Sequence, residues 1–344
     1  MLWEHLSALP VAVTNEPVAV TNEPMAVTNE PMAAMNLPIP GETLMATFDD
    51  WSARSTLIPV RPADAPESTE ELHVAMWDIG TGPAVTYLHG FPSCSLDWFE
   101  TIGRIGEGHR AIAVDFLGFG ASDKPLDYPF SIHGVADTVE AAWRHAGVTS
   151  TILAAHDYGA SVCQELLARH EDGSLDVDVT GVLWCNGGIY PDLHRPTDGQ
   201  KMLVDPEHGA AIAQAVDEKS FRGGVLVTWG TRRRATDEEL HEMWLSMDRL
   251  GGVGRMNELL HYMADRRVHA ERWIGAMETS SLPMRFVWGD LDPVSGAHMI
   301  ERVEERVGDN AVVNRMTDIG HWPPLEAPDE VAAALQELLD TSAG

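Results

Sequence analysis

The sequence is short of cysteine, short of basic residues and without any long apolar run. Its three cysteines, Cys94, Cys163 and Cys185, are an odd number scattered through apolar segments. That excludes a small disulfide-stapled scaffold and suits free, buried thiols in a reducing compartment. Lys and Arg number 23 against 53 Asp and Glu, a formal net charge of -30. A field of that sign repels phosphate backbones and anionic lipid, so no nucleic acid and no membrane partner is expected. No stretch approaches the roughly 18 to 20 apolar residues of a membrane helix, and the N-terminus lacks the basic head and apolar core of a secretory signal. The expectation is a soluble, cytoplasmic protein. Metal and cofactor signatures are missing as well: His241-Glu242 lacks the second histidine of a zinc-protease helix, and the glycine-rich stretch from Asp115 lacks the third glycine of a dinucleotide fingerprint. No metal and no cofactor is expected, and no motif fixes an oligomeric state.

What is present begins with a repeat. VAVTNEP occupies Val11 to Pro17 and again Val18 to Pro24, and MAVTNEP follows from Met25 to Pro31. Its period of seven raises the question of a coiled coil, but a proline in each unit breaks any helix. Residues 1–45 are therefore expected to be a disordered tail, and Met25, Met32, Met35 and Met45 are alternative start positions that would shorten it. From about Thr47 short β-branched runs alternate with helical stretches, the pattern of a mainly parallel sheet covered by helices. Strands are predicted at Thr56 to Val60, Leu72 to Asp78, Ala84 to Leu88, Ala111 to Val114, Thr151 to Ala155, Gly181 to Cys185, Arg285 to Trp288 and Ala311 to Met316. In open α/β sheets the chemistry lies just beyond the carboxyl ends of the strands.

Four loops in such places carry recognisable text. His89-Gly90-Phe91-Pro92 follows a strand, and its turn can aim the N–H of Phe91 into a site as an oxyanion donor. Asp115 to Pro125 reads as a structural loop. His156-Asp157-Tyr158-Gly159-Ala160 joins a strand to the helical run from Ser161 to Arg169, the pattern of a nucleophile elbow, with Asp157 in the nucleophile's slot. Taken alone, an aspartate there could equally be a turn former or a helix cap. Further on stand Gly289-Asp290-Leu291-Asp292-Pro293 and then Gly320-His321-Trp322-Pro323, in the acid-then-histidine order that this architecture uses. His321 is the expected base and Asp292 the carboxylate that orients it. Asp290 competes for that role, and the spacing from Gly289 favours Asp292.

These motifs resemble the α/β-hydrolase group of epoxide hydrolases and haloalkane dehalogenases. HGFPSCSLDW from His89, DFLGFGASDKP from Asp115 and HDYG from His156 carry the general likeness. NGGIYPDLHRP from Asn186, ERWIGAM from Glu271 and GDLDPV from Gly289 make it similar to the branch of the mesoderm-specific transcript protein and its bacterial relatives. The resemblance implies an α/β fold of the α/β-hydrolase type, a mostly parallel central sheet flanked by helices with an inserted helical cap. It assigns residues 46–188 and 279–344 to the core and 189–278 to the cap. Departures narrow the chemistry. Tyr158 stands where haloalkane dehalogenases carry a halide-holding tryptophan, and the arginines by which fluoroacetate dehalogenases hold a carboxylate are missing, so a small apolar substrate is expected, together with water.

The insertion carries helical patterns, among them Thr236 and Glu239 as a capping box ahead of Leu240, Met243, Trp244 and Met247. Arg232 to Arg234 read as a solvated turn. Two of the five tyrosines, Tyr190 and Tyr262, lie in the insertion and are the candidate proton donors. A carboxylate nucleophile attacks saturated carbon directly and gives an alkyl ester. His321, oriented by Asp292, would then activate water, while the N–H groups of Phe91 and Tyr158 hold the oxyanion. Epoxide hydrolysis is the leading expectation, with carbon–halogen hydrolysis, esterase or acyl transfer, and a non-catalytic ligand-binding scaffold as alternatives.

Overall fold

A computed structural model describes residues 46–67, 69–126 and 128–342; the repeat-bearing tail expected over 1–45 lies outside the described residues. Eight strands form one sheet: β1 (Thr56–Val60), β2 (Leu72–Gly80), β3 (Ala84–Leu88), β4 (Arg110–Val114), β5 (Ser150–His156), β6 (Asp178–Cys185), β7 (Met284–Gly289) and β8 (Ala311–Met316). Each predicted strand is there, several of them a few residues longer. The spatial order is β1-β2-β4-β3-β5-β6-β7-β8. β2 runs antiparallel to both β1 and β4, and every other neighbouring pair is parallel. Central strands such as β3 and β5 read as nearly unbroken apolar runs because helices cover both of their faces.

Among the described residues four α-helices precede the insertion: α1 (Phe48–Ser52), α2 (Phe99–Ile105), α3 (Ile132–Ala146) and α4 (Tyr158–Glu171). α3 starts where the Ser131 hydroxyl accepts the N–H of Gly134, and it stops at Gly147 in the left-handed region, φ 64°. A polar thread runs through the core beneath it. Trp143 Nε1 donates to Thr86 Oγ1 at 2.8 Å, and Thr86 in turn meets Thr151 at 2.9 Å, so none of these buried polar side chains is left without a partner.

Between β6 and β7 the chain inserts α5 (Asp198–Leu203), α6 (Gly209–Gln214), α7 (Glu218–Leu226), α8 (Asp237–Asp248), α9 (Met256–Leu259), α10 (Tyr262–Val268) and α11 (Ala270–Thr279), and then α12 (Ala297–Arg306), α13 (Pro323–Glu326) and α14 (Pro328–Ser342) complete the core. The capping box read from Thr236 and Glu239 opens α8. α11 is clamped onto α4 by Glu165, a buried acid that accepts Arg169 Nε at 2.7 Å and Trp273 Nε1 at 2.7 Å and also pairs with Arg272. The arginines before α8 correct the sequence reading. Arg232 grips both carboxylate oxygens of Asp318 at 3.0 Å, and Arg233 pairs with Glu239 and the Leu325 carbonyl. They tie the insertion to the loop before α13 instead of forming a merely solvated turn. No helix among the described residues is long and apolar enough to cross a membrane.

Candidate active site

The sheet ends in three loops that converge. After β5 the chain turns straight into α4, and the residue at the corner, Asp157, holds φ 49° and ψ -104°, a conformation that L side chains seldom adopt. Strain of this kind costs on the order of 1 to 3 kcal/mol and persists only where the surroundings enforce it. Here they do so through the backbone. The N–H of Asp157 donates to the Asn186 carbonyl at 2.7 Å, and that of Gly159 donates to the His89 carbonyl at 2.9 Å. Residue 159 must be glycine, since a Cβ there would lie 2.3 Å from the Leu88 carbonyl oxygen.

The corner lifts the Asp157 carboxylate between two loops. Oδ1 accepts the N–H of Phe91 at 2.9 Å, and Oδ2 lies 3.3 Å from His321 Nε2. The N–H of Tyr158, first residue of α4, belongs to the helix turn that has no intrahelical acceptors. On its other side, His321 Nδ1 meets Asp292 Oδ2 at 2.7 Å. Asp292 is fixed by Ser295 Oγ at 2.6 Å, Asn186 Nδ2 at 3.0 Å and the N–H of Val294 at 2.8 Å. Asp290, its rival in the sequence, turns away and pairs with Arg315.

The His321 loop is held from several directions. His156 Nε2 donates to the His321 carbonyl at 2.7 Å, and the His321 N–H donates to the Thr228 carbonyl at 2.8 Å. Glu326 accepts the N–H groups of Gly320 and Trp322, and that of Gly230 in the insertion. His156 and Asn186 thus position the site, roles that the motif text did not separate from the turn itself. The loop from Asp115 is structural: its carboxylate accepts the N–H groups of Ser95 and Ala121.

Charges in this group are strongly coupled. Burial opposes ionisation of Asp157, but the hydrogen bond and charge of His321, with His156 and the Phe91 N–H behind them, hold its carboxyl well below the usual range. Burial likewise works against Asp292, and His321, Ser295 and the Val294 N–H bring it down to about 2. His321 is buried too, yet the charges and hydrogen bonds of Asp292 and Asp157 raise it to about 10. These shifts favour a protonated His321 between the carboxylates of Asp157 and Asp292. His156, by contrast, is lowered to about 4 by burial and by His321, so it stays neutral and donates through Nε2.

The two candidate proton donors part company. Tyr262, at the start of α10, is fully buried, its ring 4.5 Å from that of Tyr158, and its hydroxyl has no hydrogen-bond partner. Burial pushes the phenol above its ordinary value, with the charge of Arg266 opposing the rise and that of Asp157 adding to it. Tyr190 is not brought to this group, because its hydroxyl donates to Glu278 at 3.0 Å. One residue that sequence reasoning passed over is Arg266, one turn along α10, whose guanidinium lies 4.4 Å over the Tyr262 ring. A separate cavity of about 550 Å³, lined by Leu96, Asp97, Arg104, Arg233, Met243 and Glu326 among others, includes none of Asp157, His321, Asp292, Tyr262 or Arg266 in its wall. Asp97 is held there by Ser93, and burial pushes its carboxyl up to about 7.

A strand-turn-helix elbow, a histidine on a late loop and an acid after β7, all on one doubly covered sheet, define an α/β hydrolase. The chain belongs to that family: the model of the alpha/beta hydrolase family matches residues 87–334. It is 36% identical over 260 residues to the mesoderm-specific transcript homolog protein of Bos taurus, covering 73% of this chain and 76% of that one. It is 33% identical over 260 residues to LipZ of Mycobacterium tuberculosis, covering 76% and 89%. The solved haloalkane dehalogenase DbeA of Bradyrhizobium elkani superposes with a TM-score of 0.68 at 19% identity, over 84% of this chain and 99% of that one, a likeness of fold.

Proposed function

We propose that the protein is a hydrolase that works through a covalent ester on Asp157, and that its substrate is a small, largely apolar epoxide. The observation that carries the reading is the placement of the Asp157 carboxylate at the strained elbow, with one oxygen on a backbone N–H and the other 3.3 Å from the His321 ring. Oδ1, held by Phe91, already occupies an oxyanion position, which leaves Oδ2 to attack a saturated carbon. A bond forms from Oδ2 to that carbon, the carbon–oxygen bond of the epoxide breaks, and the alkoxide takes its proton from Tyr262. The helical insertion serves as the cap that supplies this donor and keeps bulk water out.

Esterification removes the charge of Asp157, and with it one of the two carboxylates that hold the proton on His321. Its affinity for the proton falls, and the proton passes to the Tyr262 phenolate, which restores the phenol and leaves His321 neutral when a base is needed. Neutral His321 then takes a proton from water, the oxygen attacks Cγ of Asp157, and the N–H groups of Phe91 and Tyr158 hold the tetrahedral oxyanion. The bond from Cγ to the alkyl oxygen breaks, that oxygen takes the proton held on His321, the Asp157 carboxyl gives its own proton back to His321, and the diol leaves with an oxygen that began on Asp157. A free hydroxyl on Tyr262, with Tyr158 and not an indole after the nucleophile, favours an alkoxide over a halide as leaving group.

In His321→Gln the first half-reaction should survive and the second should stall. Incubated with styrene oxide, the variant should gain the mass of the substrate, mapped by peptide analysis to Asp157, whereas Asp157→Ala should show neither adduct nor turnover. Wild-type enzyme in a single turnover in heavy-oxygen water should label Asp157 before the product. Label appearing directly in the product, with Asp157 unlabelled, would rule out the two-step reading. A panel of epoxides, brominated alkanes and nitrophenyl esters separates the reaction types, and absence of turnover throughout would favour a binding scaffold.

A further inference from the structure

Arg266 is 1% exposed, and among the described residues no carboxylate pairs with it. A guanidinium does not shed its proton inside a protein, so the charge stays and is expensive to keep dry without a counter-ion. Its donors are unevenly used. Nη1 donates to the Gly188 carbonyl at 2.8 Å, while Nε and Nη2 have no acceptor. Those two lie on one edge of the guanidinium with parallel N–H bonds, the fork that matches both oxygens of a carboxylate.

The local structure leaves space for this group. A side chain on residue 188 would overlap Arg266, since its Cβ would lie 1.3 Å from Nη1, and only glycine lets the guanidinium in. Gly188 follows Asn186 and Gly187 in the loop that receives the N–H of Asp157, and a Cβ on Gly187 would lie 3.3 Å from the Asp157 carbonyl oxygen. The fork is therefore next door to the elbow. Asp157 has its partners in Phe91 and His321, and Asp265, the neighbour of Arg266 in sequence, accepts the N–H of Ile132. Two more polar atoms nearby lack partners, the Tyr262 hydroxyl and Nε2 of His194, a ring that burial and the Arg266 charge keep neutral.

We propose that the Nε and Nη2 edge of Arg266 seats a carboxylate of the substrate, so that the substrate is a small organic acid, apolar apart from that group, whose reactive carbon reaches Asp157. Only the reactive end of this assignment rests on the nucleophile reading above; the anion seat stands by itself. It reverses the expectation from sequence that carboxylate-bearing substrates are disfavoured, because the arginine comes from α10 and not from the loops that carry it in fluoroacetate dehalogenases.

The test uses unreactive probes, so that it does not depend on the chemistry of Asp157. Acetate, butyrate and phenylacetate are titrated calorimetrically into the full chain at fixed ionic strength, beside acetamide, butyramide and phenylacetamide and beside sodium chloride. At least one acid should bind about ten- to a hundredfold more tightly than its amide, the range of charge-assisted hydrogen bonds. Arg266→Met should abolish that preference, and Arg266→Lys, which keeps the charge but not the fork, should lose most of it. In wild-type protein the Nε–H resonance of Arg266 should move on saturation with the same acid, a readout that needs no variant to fold. Equal binding of every acid and amide, a preference that survives in Arg266→Met, or chloride binding as tightly as the best acid would each overturn the assignment. If the acid preference stands while no adduct forms on Asp157, the seat is correct and the nucleophile reading is not.

Discussion

Replacing Asp292 by Asn tests the electrostatic account of the triad most directly. With its amide oxygen in the place of Oδ2 the substitution keeps the size of the side chain and an acceptor for Ser295 and Asn186, but it removes the charge 2.7 Å from His321 Nδ1 and the acceptor for the N–H of Val294. His321 stands at about 10 against an ordinary 6.5, a preference for the imidazolium on the order of 5 kcal/mol at about 1.4 kcal/mol per tenfold. Asp292 is the nearer of the two carboxylates that supply it, with Asp157 at 3.3 Å, so the variant should forfeit at least half. Its histidine should titrate well below the wild-type value. Formation of the ester needs only the Asp157 anion and should change little. Breakdown of the ester should slow by roughly 10³ to 10⁴-fold, as expected when the orienting acid of a triad becomes an amide. Rapid-quench kinetics with styrene oxide, read as a burst of ester followed by slow release, separates the two steps, and histidine NMR follows the titration. Asp290→Asn is the control: its partner is Arg315, and it should alter stability by no more than about 1 kcal/mol and turnover hardly at all. Equal losses in the two variants, or an Asp292→Asn enzyme that hydrolyses its ester at the wild-type rate, would refute the assignment.

Tyr262→Phe should slow epoxide opening on the order of 10²-fold and leave carbon–halogen cleavage nearly unchanged in steady-state assays; equal effects would remove Tyr262 from the acid role. Glu165→Ala leaves Trp273 Nε1 without its acceptor beside a buried gap, while Arg272 keeps Asp172 and Arg169 keeps Asp137 and Glu140, and should lower stability by about 1 to 3 kcal/mol, measured by chemical denaturation; a loss below about 1 kcal/mol would show that α11 is held otherwise. The raised pKa of His321 also predicts a pH dependence. The stabilisation from its imidazolium is fully present below about 6.5 and is lost as pH rises through about 10. The difference in stability between wild type and His321→Gln, followed by urea titration across that range, should shrink towards high pH, and a constant difference would contradict the pairing.

Much of this molecule is local, and local features can be read in a sequence. Strands such as Ala84–Leu88 and Ala311–Met316 are legible because burial in a parallel sheet demands short apolar runs between turns. The elbow is legible because a strained corner flanked by close backbone contacts tolerates few residue types, as Gly159 illustrates. The order of Asp157, Asp292 and His321 follows from the topology that those strands imply. Which of Asp290 and Asp292 faces the histidine was settled by tertiary contacts, since the two stand two residues apart and only Arg315 and Ser295 separate their directions. The same holds for Tyr262 and Tyr190: nothing near either tyrosine in the chain announces that Glu278 takes one hydroxyl while the other stays free. Arg232 and Arg233 looked like surface charge until Asp318, Glu239 and Leu325 were found beside them. Arg266 is the clearest case. In sequence it is half of an Arg-Arg pair on a short helix, and its burial, its idle fork and its place beside the elbow arise only because α10 folds back onto Gly188. The sequence alone determined the sheet, the elbow and the order of the acidic and basic groups, because those depend on periodicity and on backbone sterics within a few residues. Partners of long side chains were decided by tertiary structure, because a hydrogen bond across 78 residues, like that from Arg266 to Gly188, leaves no mark on the local pattern at either end.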